Sequence, residues 1–124
     1  MSNKKSHRAI GDMGETIALK YLQKHGYTIA DTNYSIVGGE IDIIARNHEN
    51  IYIFIEVKYR KNIEYGHPLE SISLAKKRAL KRTVIAYANK KRIDLDDCRV
   101  DVIGIIKKSD AGGHRLFHIK GIEI

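Results

Sequence analysis

Residues 39–60 read GEIDIIARNHENIYIFIEVKYR, and they are the most informative part of the chain. Two apolar runs stand on either side of a short polar segment, which predicts two antiparallel strands at 39–47 and 51–60. Glu40, Asp42, Glu56 and Lys58 lie inside these apolar runs. Charged side chains are expensive to bury unless they are paired or coordinate a metal ion. These four charges therefore need a specific explanation.

The length of the turn sets which charges face one another. Residues two apart in a strand share a face, so Glu40 and Asp42 point one way, and Glu56 and Lys58 share a face of the next strand. A three-residue turn at 48–50 places Asp42 opposite Glu56 and Glu40 opposite Lys58. A two-residue turn or a bulge would break this register. The pairing is therefore a prediction that a structure can test.

Two facing carboxylates predict a metal site. Like charges opposite one another destabilise a sheet, and a divalent cation between them removes the conflict. Mg²⁺ (or Mn²⁺) prefers oxygen ligands, and such an ion can activate water and stabilise charge on a phosphodiester. Lys58 would orient the water or offset charge on the phosphate. The alternative is a solvated strand face, which Tyr52 and Phe54 on the same face make less attractive.

Two further acids are candidates for different roles. Glu15 neighbours Ala18, Leu19 and Leu22 on a helix surface, so it borders the buried side and could reach the sheet. An ordinary acid near the start of a helix, favoured by the helix dipole, is an equally good interpretation. Asp101 lies in an apolar strand, and its spacing does not connect it to the charged residues of 39–60, so a structural hydrogen-bonding role is favoured over catalysis.

Periodicity and turn residues predict an α/β fold in a single domain spanning residues 1–124. Gly26 is expected to end the first helix, Gly38-Gly39 marks a turn, and Ser73 is a candidate N-cap. A strand, a crossover helix and a further strand imply a parallel pair in a mixed sheet. A loop is expected through 65–68. The predicted elements are a helix at 7–25, strands at 27–34, 39–47 and 51–60, a helix at 74–92, and strands at 99–107 and 115–124.

The charge of the chain indicates an anionic partner. The 124 residues carry 22 Lys and Arg against 15 Asp and Glu, for a net charge of +7. Such an excess favours nucleic acid as the partner, although a merely basic protein would show it too. The second helix has a basic side, which is either solvated or in contact with phosphates. The candidate nucleic-acid-binding residues on it are Lys76, Lys77, Arg78, Lys81 and Arg82.

Other patterns exclude several classes of protein. Cys98 is the single cysteine, so no internal disulfide or cysteine-based zinc site can form. The N-terminal residues are basic but no apolar run follows them, so they do not resemble a signal peptide. We therefore expect a cytoplasmic protein with no membrane partner.

Taken together, the motifs resemble those of the YraN-like proteins over nearly the whole chain. This small bacterial family is similar to the PD-(D/E)XK nuclease superfamily, near the archaeal Holliday junction resolvases. The resemblance implies a restriction-endonuclease-like α-βββ-α-β core. The motifs that carry it are Gly14-Glu15, Gly39-Glu40-Ile41-Asp42, residues 54–60, Tyr65-Gly66 with Pro68 and Glu70, the basic helix, and Val100-Asp101-Val102.

The resemblance also implies roles for single residues. Asp42 matches the first metal-binding acid, Glu56 the second, Lys58 the motif lysine, and Glu15 the first-helix glutamate of the resolvase-like branch. The proline that names the superfamily is absent, since Ile41 precedes Asp42. The expected function is that of a Mg²⁺-dependent endonuclease on DNA, including branched or structured DNA, working as a homodimer. The alternatives are a non-catalytic nucleic-acid-binding module with the nuclease fold, and a protein-interaction scaffold.

Overall fold

A five-stranded sheet with one helix on each face organises this chain. The computed structural model describes residues 2–62, 72–109 and 111–124, with side chains from residue 13 onward. The predicted α/β class and element order are confirmed. The elements are α1 (Ser2–Lys24), β1 (Thr28–Ile36), β2 (Gly39–Arg46), β3 (Tyr52–Arg60), α2 (Leu74–Lys91), a 3₁₀ turn (Leu95–Asp97), β4 (Cys98–Lys107) and β5 (His114–Ile119).

The strands lie in the order β1-β2-β3-β4-β5. Neighbouring strands are antiparallel except β3 and β4, which are parallel. Short turns can join only antiparallel neighbours, whereas α2 carries the chain back across the sheet before β4 begins. The prediction of a mixed sheet with one parallel pair is confirmed.

Side-chain alternation along β3 supplies both halves of the core. Ile53 and Ile55 face α1, where they pack with Ala18 and Leu22. Phe54 faces α2 and packs with the apolar side of that helix, formed by Leu80, Val84 and Tyr87. Since both faces of β3 are covered around Phe54, the side chain of Glu56, two residues further on, is held away from bulk water.

Helix α2 packs closely on the start of β2. A Cβ atom on Gly39 would lie 2.7 Å from the carbonyl oxygen of Ala79 and would also collide with the Thr83 hydroxyl. The turn before β2 is formed by Val37 and Gly38, with Gly38 at φ 86°. Gly39 is therefore the first residue of the strand rather than part of the turn. Its missing side chain lets the helix approach.

Several predicted boundaries differ from the structure. Helix α1 begins at Ser2 rather than at 7, and β1 extends to Ile36. The last strand ends at Ile119 instead of 124, because Gly121 at φ 68° turns the chain. The backbone N–H of Ile122 then donates to Val100. The predicted loop at 65–68 lies outside the described residues. Within the described part of the chain, no helix has the length and apolar character needed to span a membrane.

Candidate active site

The turn between β2 and β3 determines how their charged residues meet. The backbone N–H of Asn47 donates to Ile51 at 3.1 Å, closing a turn of three residues. The Asn47 side-chain oxygen accepts from the backbone N–H groups of Glu49 and Ile51. Asn50 adopts φ 62°, a left-handed conformation that asparagine tolerates. The predicted three-residue turn is confirmed.

The resulting register leads toward the two carboxylates. The β2–β3 ladder runs from Arg46↔Tyr52 to Ile43↔Ile55, and one further step in the same register would bring Asp42 opposite Glu56. The ladder stops before that step. It therefore also stops short of the predicted pairing of Glu40 with Lys58.

The ladder ends at Asp42, where the side chain of this residue binds a backbone N–H group of β3. Asp42 Oδ2 accepts a hydrogen bond from the Val57 N–H at 2.8 Å. Alternation also breaks here, since Ile41 packs in the α2-side core together with Ile44. Burial raises the pKa of Asp42 and the negative charge of Glu40 raises it further, while the Val57 hydrogen bond acts against both. The carboxyl group of Asp42 is thus held rigidly at the end of the ladder.

Glu56 is the more deeply buried acid of the pair. The residue is only 7% exposed. Its Oε1 atom lies 3.5 Å from the Nζ atom of Lys76, while its Oε2 atom is buried without any hydrogen-bond partner. Burial and the nearby charge of Asp42 raise the pKa of Glu56 to about 7, against the opposing effect of Lys76 and Lys58. An unpartnered buried carboxylate oxygen is costly unless another ligand completes it.

Two lysines surround the carboxylates, one from the sheet and one from α2. Lys58 is half-buried on β3, and its positive charge lowers the pKa of both acids. Lys76 was predicted only as a phosphate contact, and the structure adds its contact with Glu56. The sequence did hold a signal for this position. Lys76 lies four residues before Leu80 and so extends the sheet-facing side of the helix by one turn.

The structure places Glu15 against β1. Its Oε1 atom accepts a hydrogen bond from the Asn33 side chain at 3.0 Å. The preceding residue, Gly14, lies against β3, where a Cβ atom would be 3.0 Å from the Cβ atom of Tyr59. The structure therefore brings Asp42, Glu56 and Lys58 together, and the role of Glu15 in the same site stays a prediction.

The remaining cations of the predicted nucleic-acid face lie along α2. Arg78 and Lys81 are exposed and Lys77 is half-buried. Arg82 is exposed too, but its guanidinium donates to the carbonyl oxygen of Gly38 at 3.0 Å and so supports the β1–β2 turn. Lys77, Arg78 and Lys81 thus form the outer part of this face, and Lys76 forms its inner edge.

The donor atoms at Asp42 and Glu56 fit a small divalent cation. Mg²⁺ and Mn²⁺ take oxygen ligands, often only one or two protein carboxylates, and complete their shell with water and substrate phosphate. The unpartnered Oε2 atom of Glu56 offers such a ligand. Among the residues that the structure describes, no group of three or more His, Cys, Asp or Glu side chains is placed to hold a metal ion. The pair would therefore supply two protein ligands.

Asp101 has the structural role that its position in an apolar strand predicted. It is fully buried, and it accepts hydrogen bonds from Arg99 Nε and Nη2, His118 Nε2 and the Gly121 N–H. His118 also contacts the hydroxyl of Tyr21 at 2.8 Å. Burial acts to raise the pKa of Asp101, but the hydrogen bonds from His118 and Arg99 outweigh it and lower the pKa. This network ties β4 to β5, the C-terminal segment and α1.

Two solved structures align with this chain at low similarity. The EndoMS–dsDNA2 complex aligns with a TM-score of 0.39 and 17% identity, covering 65% of this chain and 27% of the other. SfsA of Pyrococcus furiosus, solved with Ca²⁺, aligns with a TM-score of 0.43 and 16% identity, covering 95% of this chain and 65% of the other. At TM-scores below 0.5, neither likeness assigns a fold or an activity to this chain.

Sequence relatives give a firm family assignment. A protein of Clostridium beijerinckii named "UPF0102 protein" is 38% identical over 117 residues, which is 94% of this chain and 94% of the relative. The model of the uncharacterised protein family UPF0102 matches residues 14–105. The chain therefore belongs to the UPF0102 family, the YraN-like family that its motifs resemble.

Proposed function

We propose that the protein is a metal-dependent endonuclease that hydrolyses phosphodiester bonds in DNA. The observation that carries the proposal is the Oε2 atom of Glu56, which is buried without a hydrogen-bond partner near a second carboxyl group, that of Asp42. The charge of Lys58 acts on both acids. Two acids and a lysine in this arrangement suit hydrolysis of a phosphate ester.

Each residue has a separate task in this proposal. Asp42 and Glu56 would hold Mg²⁺ or Mn²⁺, which when bound supplies activation of water and stabilisation of negative charge. The Val57 N–H fixes the Asp42 carboxylate and limits its motion. Lys58 orients the attacking water or offsets charge on the scissile phosphate. Glu15 completes the acidic surroundings of the site.

The substrate is proposed from charge and from the family resemblance. The net charge of +7 and the exposed cations of α2 favour a polyanion. The similarity of YraN-like proteins to archaeal Holliday junction resolvases favours branched or structured DNA, cut by a homodimer in the cytoplasm.

A cleavage assay tests the proposal directly. We expect the purified protein with Mg²⁺ or Mn²⁺ to cut at least one of linear duplex, single-stranded and four-way junction DNA. Asp42→Asn and Glu56→Gln should each lower the rate by about 100-fold or more, since even residues that only support metal ligands are worth about 10–100-fold. Glu49→Gln, at an exposed glutamate of the β2–β3 turn, is the matched control and should cut normally. Absence of cleavage with either metal, or normal cleavage by Asp42→Asn, would contradict the proposal.

One observation favours the alternative of a non-catalytic nucleic-acid-binding module. The ion pair with Lys76 already neutralises part of the acidic charge without a metal ion. For such a module, DNA binding would be retained in Asp42→Asn, and no metal would produce cleavage. The same set of variants therefore distinguishes the two functions.

A further inference from the structure

Lys76 occupies an unusual position between the buried acids and the basic surface of α2. Its Nζ atom lies 3.5 Å from Glu56 Oε1, and its side chain is 30% exposed. Its charge acts on Asp42 as well as on Glu56. The side chain of Lys76 is therefore in contact with both a buried acid and the solvent. Its neighbours Lys77 and Arg78 belong to the outer face of α2.

The ion pair between Lys76 and Glu56 neutralises only part of the negative charge of the site. One ammonium group faces two carboxyl groups, and Glu56 Oε2 stays without a partner. A divalent cation bound by Glu56 would carry more charge than the ammonium group and could use both carboxylate oxygens. The two cations would repel one another if both stayed on the Glu56 carboxylate, because two positive charges a few ångströms apart interact unfavourably in a partly buried site.

The side chain of Lys76 can leave the site without unfolding the helix. Helix α2 is held by the N-cap, in which the Ser73 hydroxyl oxygen accepts from the Lys76 N–H, and by Leu80 in the core. These contacts fix the backbone of Lys76 but not its four-carbon side chain. The lysine stem is flexible and reaches solvent easily. Displacement therefore needs only a change of side-chain rotamer.

We propose that Lys76 is a place-holding cation, which neutralises the acid pair in the metal-free protein and is displaced when a divalent metal ion binds. This inference rests on the proposed metal site at Asp42 and Glu56. Lys76 acts as a positioning residue through Glu56, and it competes with the metal ion for that carboxylate. Its removal should thus make the metal bind more tightly, whereas removal of a metal ligand should make it bind more weakly.

Calorimetric titration of the folded proteins with MnCl₂ at pH 8 tests the competition. Lys76→Met keeps the aliphatic stem and should bind Mn²⁺ about tenfold more tightly than the wild type, which corresponds to about 1.4 kcal/mol. Lys76→Arg keeps the charge and should stay within about threefold of the wild type. Lys77→Met, which removes the same charge one residue away, should also stay within about threefold. Circular dichroism establishes that each variant is folded.

The outcomes separate this inference from the proposed function. Unchanged or weaker Mn²⁺ binding by Lys76→Met, together with binding that Glu56→Gln abolishes, would refute the place-holding role and leave the metal site intact. An equal increase in Mn²⁺ affinity in Lys76→Met and Lys77→Met would show that the effect comes from the overall charge of the protein. That result would also refute the place-holding role of Lys76. No Mn²⁺ binding by the wild type would overturn both the metal site and the role of Lys76.

Discussion

Glu56 and Asp101 are buried carboxyl groups in neighbouring parallel strands, yet their surroundings are opposite. Asp101 accepts four hydrogen bonds, two of them from the Arg99 guanidinium, whereas the Oε2 atom of Glu56 accepts none. Hydrogen bonds to the charged form lower the pKa of Asp101, while burial raises that of Glu56 to about 7. Asp101 is therefore suited to stabilising the fold, and Glu56 is suited to binding a cation.

Replacing Asp101 should therefore reduce stability strongly. In Asp101→Asn the Arg99 guanidinium and His118 lose their charged partner, so we expect the free energy of unfolding to fall by roughly 2–4 kcal/mol. Urea denaturation followed by circular dichroism measures the change. Asp97→Asn, at an exposed acid of the 3₁₀ turn, should alter stability by less than about 0.5 kcal/mol. Similar losses in the two variants would show that the Asp101 network contributes little.

The raised pKa of Glu56 predicts a pH dependence of stability in the metal-free protein. Since the pKa of Glu56 is about 7 in the folded protein and the ordinary pKa of a glutamate is 4.5, the folded state binds the proton more tightly. The contribution of Glu56 to stability is thus full below pH 4.5 and is lost as the pH rises through 7. In EDTA, the stability of the wild type relative to Glu56→Gln should fall by roughly 3 kcal/mol between these limits. A difference that is constant or rises with pH would contradict the prediction.

Helix α2 has three separate roles in the structure. It covers one face of the sheet through Leu80, Val84 and Tyr87, it brings Lys76 to the acids, and it exposes cations on its outer side. The sequence predicted its N-cap at Ser73, and its end within one residue, because caps and apolar periodicity are local signals. The predicted end of β5 was wrong, because Ile122, which follows the turn at Gly121, packs against the α2-side core and does not continue the strand.

The close approach of α2 to β2 predicts a specific effect at Gly39. A methyl group there would press against the Ala79 carbonyl and the Thr83 hydroxyl, so Gly39→Ala should lower the free energy of unfolding by about 1–3 kcal/mol. Thr83→Ala removes one of the two obstacles, so the double variant should lose less stability than the sum of the single variants. Chemical denaturation of the four proteins provides the cycle. Strict additivity would show that the helix shifts instead of clashing.

Helices α1 and α2 carry their cations on opposite faces of the sheet. Lys77 and Lys81 lie one turn apart on α2, and Lys20 and Lys24 lie one turn apart on α1. The candidate site also lies on the α2 side, where Lys76 contacts Glu56. If DNA approaches this site, the cations of α2 should contact its phosphates and those of α1 should not.

The salt dependence of DNA binding tests this asymmetry. Each phosphate contact to duplex DNA contributes about −0.9 to the slope of log K against log salt. Lys77→Gln with Lys81→Gln should therefore reduce the steepness of that slope by about 1–2. Lys20→Gln with Lys24→Gln removes the same charge and should leave the slope nearly unchanged. Fluorescence anisotropy over a range of salt concentrations measures both, and equal changes in the two double variants would refute a binding face on α2.

The order of the elements, the mixed sheet and the three-residue turn between β2 and β3 could all be predicted from the amino-acid sequence. These features follow from local rules, because strand alternation and the length of one turn set the register of the residues next to that turn. The contact of Lys76 with Glu56, the unpartnered Oε2 atom and the set of donors around Asp101 became visible only in the three-dimensional structure. Those contacts join residues far apart in the chain, and they depend on how closely each helix docks on the sheet. Local periodicity carries no information about that distance.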